Sequence, residues 1–392
     1  MIHQLAVSGY RSLRDLTVAL GQLTIITGPN GSGKSSFYRS LRLMNDIAHG
    51  HIIHSLAAEG GLPSTLWAGP ESFSRSVKAG QHPVEGTRRK NPLALKLGFA
   101  GDDYGYAIEL GLPVNPGNVT RYEPSKFTLD PEIKLEMLWI GEQPGRSNVL
   151  ADRHGPSVRL RDKDGTWLQA ETGLASFDSM MTHCAEPREG LELLLVRDRM
   201  RAWRFYDHLR TDAEAPARRP QIGTRTPALA GDGSDLAAAI QTIRETGAVG
   251  ALEETIDRAF PGHSIDVVVT GNYFELEMRQ PGLLRPLKAA ELSEGTLKFL
   301  LLVAALLSPR PPGLMILNEP ETSLHADLVP ALARSIGEAA GRTQIVVVSH
   351  SELLIRHLVA DFACREIRLR KELGETLADV EGEPARWVWP KR

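Results

Sequence analysis

The residues best equipped for chemistry begin at Gly28, where Gly28-Pro29-Asn30-Gly31-Ser32-Gly33-Lys34-Ser35 fits the pattern G-x-x-x-x-G-K-[ST] in full. Glycines let the backbone curl so that successive N–H groups converge on an anion, and a helix starting near Lys34 adds the positive end of its dipole. In that arrangement Asn30, Gly31, Ser32 and Gly33, with Ser35 and Ser36 at the helix start, surround a polyphosphate. Lys34 reaches the β- and γ-oxygens, and the Ser35 hydroxyl ligates Mg2+. The bland alternative is a glycine-rich turn with a chance lysine. It leaves the flanks unexplained: a β-branched apolar run, Leu23 to Thr27, precedes the motif, and Phe37, Leu41 and Leu43 follow in a helical pattern.

A second group lies far downstream. Leu292-Ser293-Glu294-Gly295-Thr296 opens the apolar stretch Leu297 to Leu307. A hydroxyl and free amides at a helix start offer a site to an anion. Lys34 already serves the phosphates of its own chain, so this second site suits a nucleotide held by another copy. Taken alone, Ser293 would be an ordinary N-cap. Pro311-Pro312-Gly313 then breaks the chain, and Leu314 to Leu317 reads as a buried strand ending in Asn318-Glu319-Pro320. Polar residues at the carboxyl end of such a strand are placed to handle nucleotides in an α/β sheet. Ser323 to Asp327, a helical stretch from Leu328 to Ala340, and a strand from Gln344 to Val348 ending in Ser349-His350-Ser351 complete the series.

In this order the P-loop, LSEGT, strand-NEPETSLH and strand-SH resemble the Walker A, signature, Walker B, D-loop and H-switch of the ABC ATPase superfamily. The resemblance covers residues 1–50 and 285–360, and the layout is most similar to stand-alone SMC/RecF-like, OLD-related ATPases. It implies an α/β P-loop NTPase fold of ABC-ATPase type, a mixed sheet with an antiparallel β portion, and a helical inserted lobe. It also implies ATP and Mg2+ as cofactors and a homodimer closed around ATP. Ser293 and Gly295 would contact the γ-phosphate of the opposite subunit, Glu319 would polarise the attacking water, and His350 would touch the γ-phosphate. Asn318 stands where the family usually has an aspartate supporting Mg2+. An amide oxygen offers similar reach without the charge, which implies weaker metal binding and slow turnover. Tyr10-Arg11-Ser12 is similar to a stretch near the nucleotide in SMC and RecF-like proteins, so Arg11 is a candidate ATP contact; the alternative is a solvated turn arginine. No motif surrounds Gln81 or Gln143, and the family's Q-loop glutamine is not placed.

The remaining chain must position these groups. Three segments are expected: 1–170 as the N-terminal half of the ATPase, 171–262 as a helical lobe, and 263–392 as the C-terminal half. Alternation at Leu93, Leu95, Leu97 and at Ile133, Leu135, Met137, Trp139 predicts antiparallel strands over 93–170, extending the P-loop sheet. Gly190 to Arg210 reads as helical, with Arg197, Arg199, Arg201, Arg204 and Arg210 among aromatics. That mixture suits a nucleic-acid backbone or a solvated helix face, and the second reading is favoured in a mildly acidic chain. Gly271-Asn272 is a two-residue hairpin loop. No heptad array supports a long coiled coil, and only a short tail, without room for a nuclease domain, is expected past His350.

Bulk composition narrows the class further. The net charge is −3, apolar residues make up 42% and charged residues 24%, as in ordinary globular proteins. Two cysteines, Cys184 and Cys364, are too few and too far apart for a disulfide framework or a zinc set. The first residues lack a signal-peptide pattern, and the run Phe299 to Leu307 is too short to span a bilayer, so a cytoplasmic protein without a membrane partner is expected. The combined expectation is an ATP-dependent switch acting on DNA, in repair or antiviral defence, or governing a separately encoded effector. A transporter ATPase subunit is the alternative, although the strand-rich 93–170 segment argues against it. A P-loop kinase or GTPase would leave LSEGT and His350 unexplained.

Overall fold

Two kinds of apolar patterning produce two kinds of sheet. Alternating runs give antiparallel strands with one covered face, and continuous β-branched runs give parallel strands covered on both. The computed structural model describes residues 1–78, 81, 93–113, 126–246, 249–380 and 385–391. Part of the 93–170 strand reading, residues 114–125, lies outside them. The chain divides into two compact units, one of Met1–Leu20, Gly28–Ala202 and Ile367–Arg392, the other of Gly21–Thr27 and Trp203–Glu366.

The first unit contains an eight-stranded antiparallel sheet. Its order is Leu13–Ala19, Ile2–Tyr10, Ala94–Gly101, Tyr104–Gly111, Glu132–Ile140, Val149–His154, Ser157–Arg161, Trp167–Glu171. Leu95, Leu97 and Phe99 are buried along one strand, as their alternation requires. The turns at Asp102-Asp103 and Asp164-Gly165 join neighbouring strands as read from the sequence. Helix Lys34–His49 lies against helices Ile52–Ala58, Met180–His183 and Leu191–Arg201. Its Asn45 Nδ2 donates to the Met200 carbonyl at 2.5 Å, and Arg201 Nε donates back to the Ala48 carbonyl at 2.7 Å.

In the second unit, four strands run parallel in the order Arg204–Tyr206, Leu314–Asn318, Gln344–Val348, Leu23–Thr27. Every residue of Leu23–Thr27 and of Gln344–Val348 is buried. Helices Leu236–Glu245, Val249–Ala259, Glu294–Leu306, Val329–Ala340 and Glu352–Asp361 contribute to one apolar core with the strands. Ten consecutive residues of the helix that begins at Glu294, Leu297 to Leu306, are buried, so this helix has no solvent stripe. A small antiparallel sheet contains the hairpin Ser264–Thr270 and Tyr273–Arg279, closed by Gly271 at φ +63° and Asn272.

The α/β class, with parallel and antiparallel sheet around a strand–P-loop–helix unit, is present. Three details differ from the sequence reading. The antiparallel strands do not extend the P-loop sheet: they pair among themselves and with Ile2–Tyr10, while Leu23–Thr27 pairs in parallel with Gln344–Val348. The arginine-rich helix stops at Arg201, because Arg204 opens a strand, Arg204–Tyr206, that joins Leu314–Asn318. The segment past His350 is a helix and an antiparallel hairpin, Arg365–Glu372 with Glu375–Val380, whose turn is made by Leu373 and Gly374 at positive φ. The chain passes between the units at four places: after Leu20, Thr27, Ala202 and Glu366.

Candidate nucleotide-binding site

In the first unit the P-loop conformation is dictated by its glycines. Gly28, Gly31 and Gly33 have φ of +144°, +78° and +109°, backbone that residues with a Cβ rarely adopt. Space is limiting as well. A Cβ on Gly28 would stand 2.3 Å from the Leu369 carbonyl oxygen, and one on Gly33 2.2 Å from Thr376 Oγ1. Helix Lys34–His49 starts at Gly33, which provides no capping side chain, so its first amides are available to an anion. Lys34 is buried at 7% exposure and donates to the carbonyls of Gly28 at 2.6 Å and Pro29 at 3.2 Å. A bound triphosphate would have to exchange those carbonyls for phosphate oxygens. Ser32 Oγ is buried without a hydrogen-bond partner among the described residues, and Asn30, Gly31 and Ser35 are exposed. A glycine cradle, an uncapped helix start and an orphaned hydroxyl together fit a nucleotide polyphosphate. A metal held there would come with the phosphates and take the Ser35 hydroxyl as a neutral oxygen ligand. Among the described residues no group of three or more His, Cys, Asp or Glu side chains could hold a metal.

Arg11 is in the same unit, at φ +49°, and its guanidinium is held by Glu59 through Nε at 3.1 Å and Nη2 at 2.5 Å. Tyr10 donates its phenol to the same carboxylate. Burial and that hydrogen bond push the Tyr10 phenol well above its ordinary range. An Arg11 contact to nucleotide therefore requires release from Glu59. The sequence reading had no signal for Glu59, which lies in no motif.

In the second unit the carboxyl ends of the parallel strands collect the polar groups. Asn318 ends its strand, and Glu319 turns out of it at φ +48°, with its N–H donating to the Val348 carbonyl at 2.7 Å. A glutamate in the left-handed region is strained by about 1–2 kcal/mol, and such positions cluster at functional sites. His350 Nδ1 lies 3.2 Å from Glu319 Oε1 and 4.0 Å from Glu321 Oε1. Ser349 Oγ donates to Glu321 at 2.5 Å. Glu321 is nearly buried, and its other oxygen has no hydrogen-bond partner among the described residues. Burial pushes the Lys298 ammonium below its usual range, with Asp207 and Glu321 pulling the other way.

Ser293 caps the helix Glu294–Leu306: its hydroxyl accepts from Thr296 N at 3.1 Å and lies 2.8 Å from the Thr296 hydroxyl. The ordinary N-cap role is thus present, and the side chain remains exposed. A Cβ on Gly295 would be 2.9 Å from the Ser323 carbonyl, so the helix start and the Ser323 turn, itself at φ +69°, are in close contact. The approach to Ser293 is fixed by Arg218, which lies in none of the motifs read from the sequence. Its buried guanidinium donates to the carbonyls of Thr211, Asp212, Ala289, Ala290 and Leu292.

Four of the arginines read as a possible nucleic-acid face are already engaged by other groups. Arg197 is engaged by Asp198 and the Ala185 carbonyl, Arg199 by Asp103, and Arg201 by the Ala48 carbonyl, while Arg210 pairs with Asp212.

Two AAA-domain family models match the chain. One, described as an AAA domain, covers residues 4–44; the other, an AAA domain described with the AbiEii toxin of a type IV TA system, covers residues 173–356. Over these two stretches the chain is similar to AAA-domain ATPases. It is 28% identical over 169 residues to the OLD nuclease of Thermus scotoductus, a match spanning 41% of this chain and 29% of that protein. It is 37% identical over 155 residues to UvrABC system protein A of Streptomyces avermitilis, spanning 35% of this chain and 14% of that one. A solved Smc head bound to the C-winged helix domain of ScpA aligns with 97% of this chain and 98% of its own at 15% identity and a TM-score of 0.48. No described helix is long and apolar enough to cross a membrane.

Proposed function

We propose that this AAA ATPase binds ATP with Mg2+ on Asn30 to Ser36, hydrolyses it slowly, and dimerises on it as a cytoplasmic switch. Lys34 and the loop amides hold the β- and γ-phosphates, Ser35 ligates Mg2+, and Asn318 supports it without adding charge. Ser293 and Gly295 of a second copy cap the γ-phosphate. Glu319 orients the attacking water, and His350 holds Glu319 and senses the γ-phosphate. The observation carrying this reading is the strained Glu319 with His350 against its carboxylate at the ends of parallel strands, in a chain that also has a complete P-loop. Strain retained at a charged side chain is hard to explain by packing alone.

The output we favour is on DNA, in repair or antiviral defence, directly or through a separately encoded effector. The SMC/RecF-like layout supports it, as do relatives that include an OLD nuclease and UvrABC system proteins. Light scattering on Glu319→Gln with ATP and Mg2+ tests the core of the proposal. A dimer that appears only with ATP, and that Ser293→Arg abolishes, is the expected result. A monomer under all nucleotide conditions removes the sandwich.

A further inference from the structure

The hairpin Arg365–Glu372 and Glu375–Val380 has no place in the motifs discussed so far, yet it forms the outer wall of the P-loop. Thr376 is 1% exposed, and its hydroxyl lies 2.8 Å from both the Ser32 carbonyl and Ser12 Oγ. One hydroxyl carries one proton, so a consistent network has Ser12 Oγ donating to Thr376 and Thr376 donating to Ser32. The Thr376 N–H donates to the Ser12 carbonyl at 2.8 Å, which fixes the same pair a second time. Beside it Arg14 and the nearly buried Glu375 form an ion pair at 2.9 Å.

The P-loop is shaped to this hairpin at both ends. Gly28 cannot bear a Cβ because the Leu369 carbonyl is there, and Gly33 cannot because Thr376 is. Held at its carbonyl, the Ser32–Gly33 peptide has one orientation left, and its N–H must then point to the inner side of the loop, where a β-phosphate is received. Losing the Thr376 hydroxyl would let that peptide rotate and spoil one converging donor.

We infer that Thr376, with Ser12 behind it, is a positioning residue for phosphate binding: it orients the Ser32–Gly33 peptide from outside the loop and touches no ligand. The inference rests on the P-loop being a nucleotide site. Because the affected contact is to the phosphate shared by ADP and ATP, the loss should be equal for both, unlike a defect in Glu319 or His350, which would leave ADP affinity unchanged.

The test is nucleotide affinity of the full chain by titration calorimetry, using ADP and ATP with Mg2+, for wild type, Thr376→Val, Thr376→Ser and Ser12→Ala, with melting temperatures measured in parallel. Thr376→Val should weaken both nucleotides about tenfold, the loss of one good hydrogen bond. Thr376→Ser should restore most of the affinity, and Ser12→Ala should fall between. Wild-type affinity in a folded Thr376→Val overturns the inference, as does a lowered melting temperature with unchanged affinity. Wild-type protein that binds neither nucleotide overturns the reading of the P-loop and this inference with it. If Thr376→Val does not fold, a folded Ser12→Ala with unchanged affinity is the overturning result.

Discussion

Arg218 offers the most direct check on how the ends of the second unit are built. Its guanidinium makes six hydrogen bonds to five carbonyls. Two of those carbonyls keep a backbone donor without it: Asp212 from Ala215 N at 3.0 Å and Ala289 from Leu292 N at 3.4 Å. Ala290 is exposed and can turn to water. Thr211 and Leu292 are buried, and their carbonyls carry the main loss in Arg218→Met. An unsatisfied buried acceptor costs about 1–3 kcal/mol, so the two together cost roughly 4 kcal/mol. For a unit of this size each kcal/mol lowers the melting temperature by about 2–4 °C, giving a drop on the order of 8–16 °C. Arg218→Lys keeps the charge but concentrates its donors on one nitrogen, which cannot span five acceptors, so more than half the loss should persist. Scanning calorimetry measures this directly. Ser293 follows Leu292, so ATP-dependent dimerisation should fail in both variants while ADP still binds the P-loop. Melting of either variant within about 2 °C of wild type would refute the argument that the guanidinium holds the approach to Ser293.

Four other outcomes follow from the same geometry. Asn318→Asp restores a full charge at the end of its strand and should raise ATP turnover roughly tenfold, equivalent to about 1.4 kcal/mol in the barrier; steady-state phosphate release at limiting Mg2+ measures it, and unchanged or slower turnover counts against the assignment. Gly295→Ala places a Cβ 2.9 Å from the Ser323 carbonyl and should cost about 1–2 kcal/mol in urea unfolding by pushing the two turns apart. Glu291, held by Arg285 and the Lys288 N–H, has its carboxyl lowered to about 2. A folded value below the ordinary one means its support of the 285–291 turn is present above about pH 4.5 and lost as pH falls toward 2, and an NMR titration of Arg285→Ala should show the carboxyl rising toward the ordinary range, with the Lys288 N–H still holding it somewhat below. Charge reversal at Arg197 and Arg199 should leave any DNA binding and its salt slope unchanged, because both guanidiniums are already engaged; a slope reduced by about two would show that they meet phosphates.

What the sequence disclosed and what it hid follow a physical division. The P-loop was legible because its requirement is backbone shape: glycines at positive φ, then a helix start, are local properties that a short pattern specifies. The strands Leu23–Thr27, Leu314–Asn318 and Gln344–Val348 were legible because parallel strands covered on both faces are continuous apolar runs. Sheet membership was not, since alternation shows that Leu95, Leu97 and Phe99 share a face without saying which strand pairs with theirs. The arginine run misled for a related reason. Arg197 to Arg210 is rich in arginine throughout, but Arg204 begins a strand that joins Leu314–Asn318, and pairing of that range is invisible in a helical window. Glu59, Thr376 and Arg218 were hidden because each acts on residues distant in the chain.

These hidden residues share a property that bears on how the proposed site would work. Each fixes a group that a motif names: Glu59 the guanidinium of Arg11, Thr376 the peptide after Ser32, Arg218 the carbonyl before Ser293. Lys34 is similarly held, by two carbonyls of its own loop. Lys34 and Arg11 therefore have protein partners to exchange when a nucleotide arrives, whereas Thr376 and Arg218 have none to give up. The first pair sets the energetic cost of binding and the second sets its geometry. Glu59→Gln separates the two roles: it weakens the hold on Arg11 without touching the P-loop, so ATP affinity should rise if Arg11 moves to the nucleotide. Unchanged affinity for both ADP and ATP would instead leave Arg11 a structural partner of Glu59, and the burden of phosphate recognition would rest on the loop and Lys34 alone.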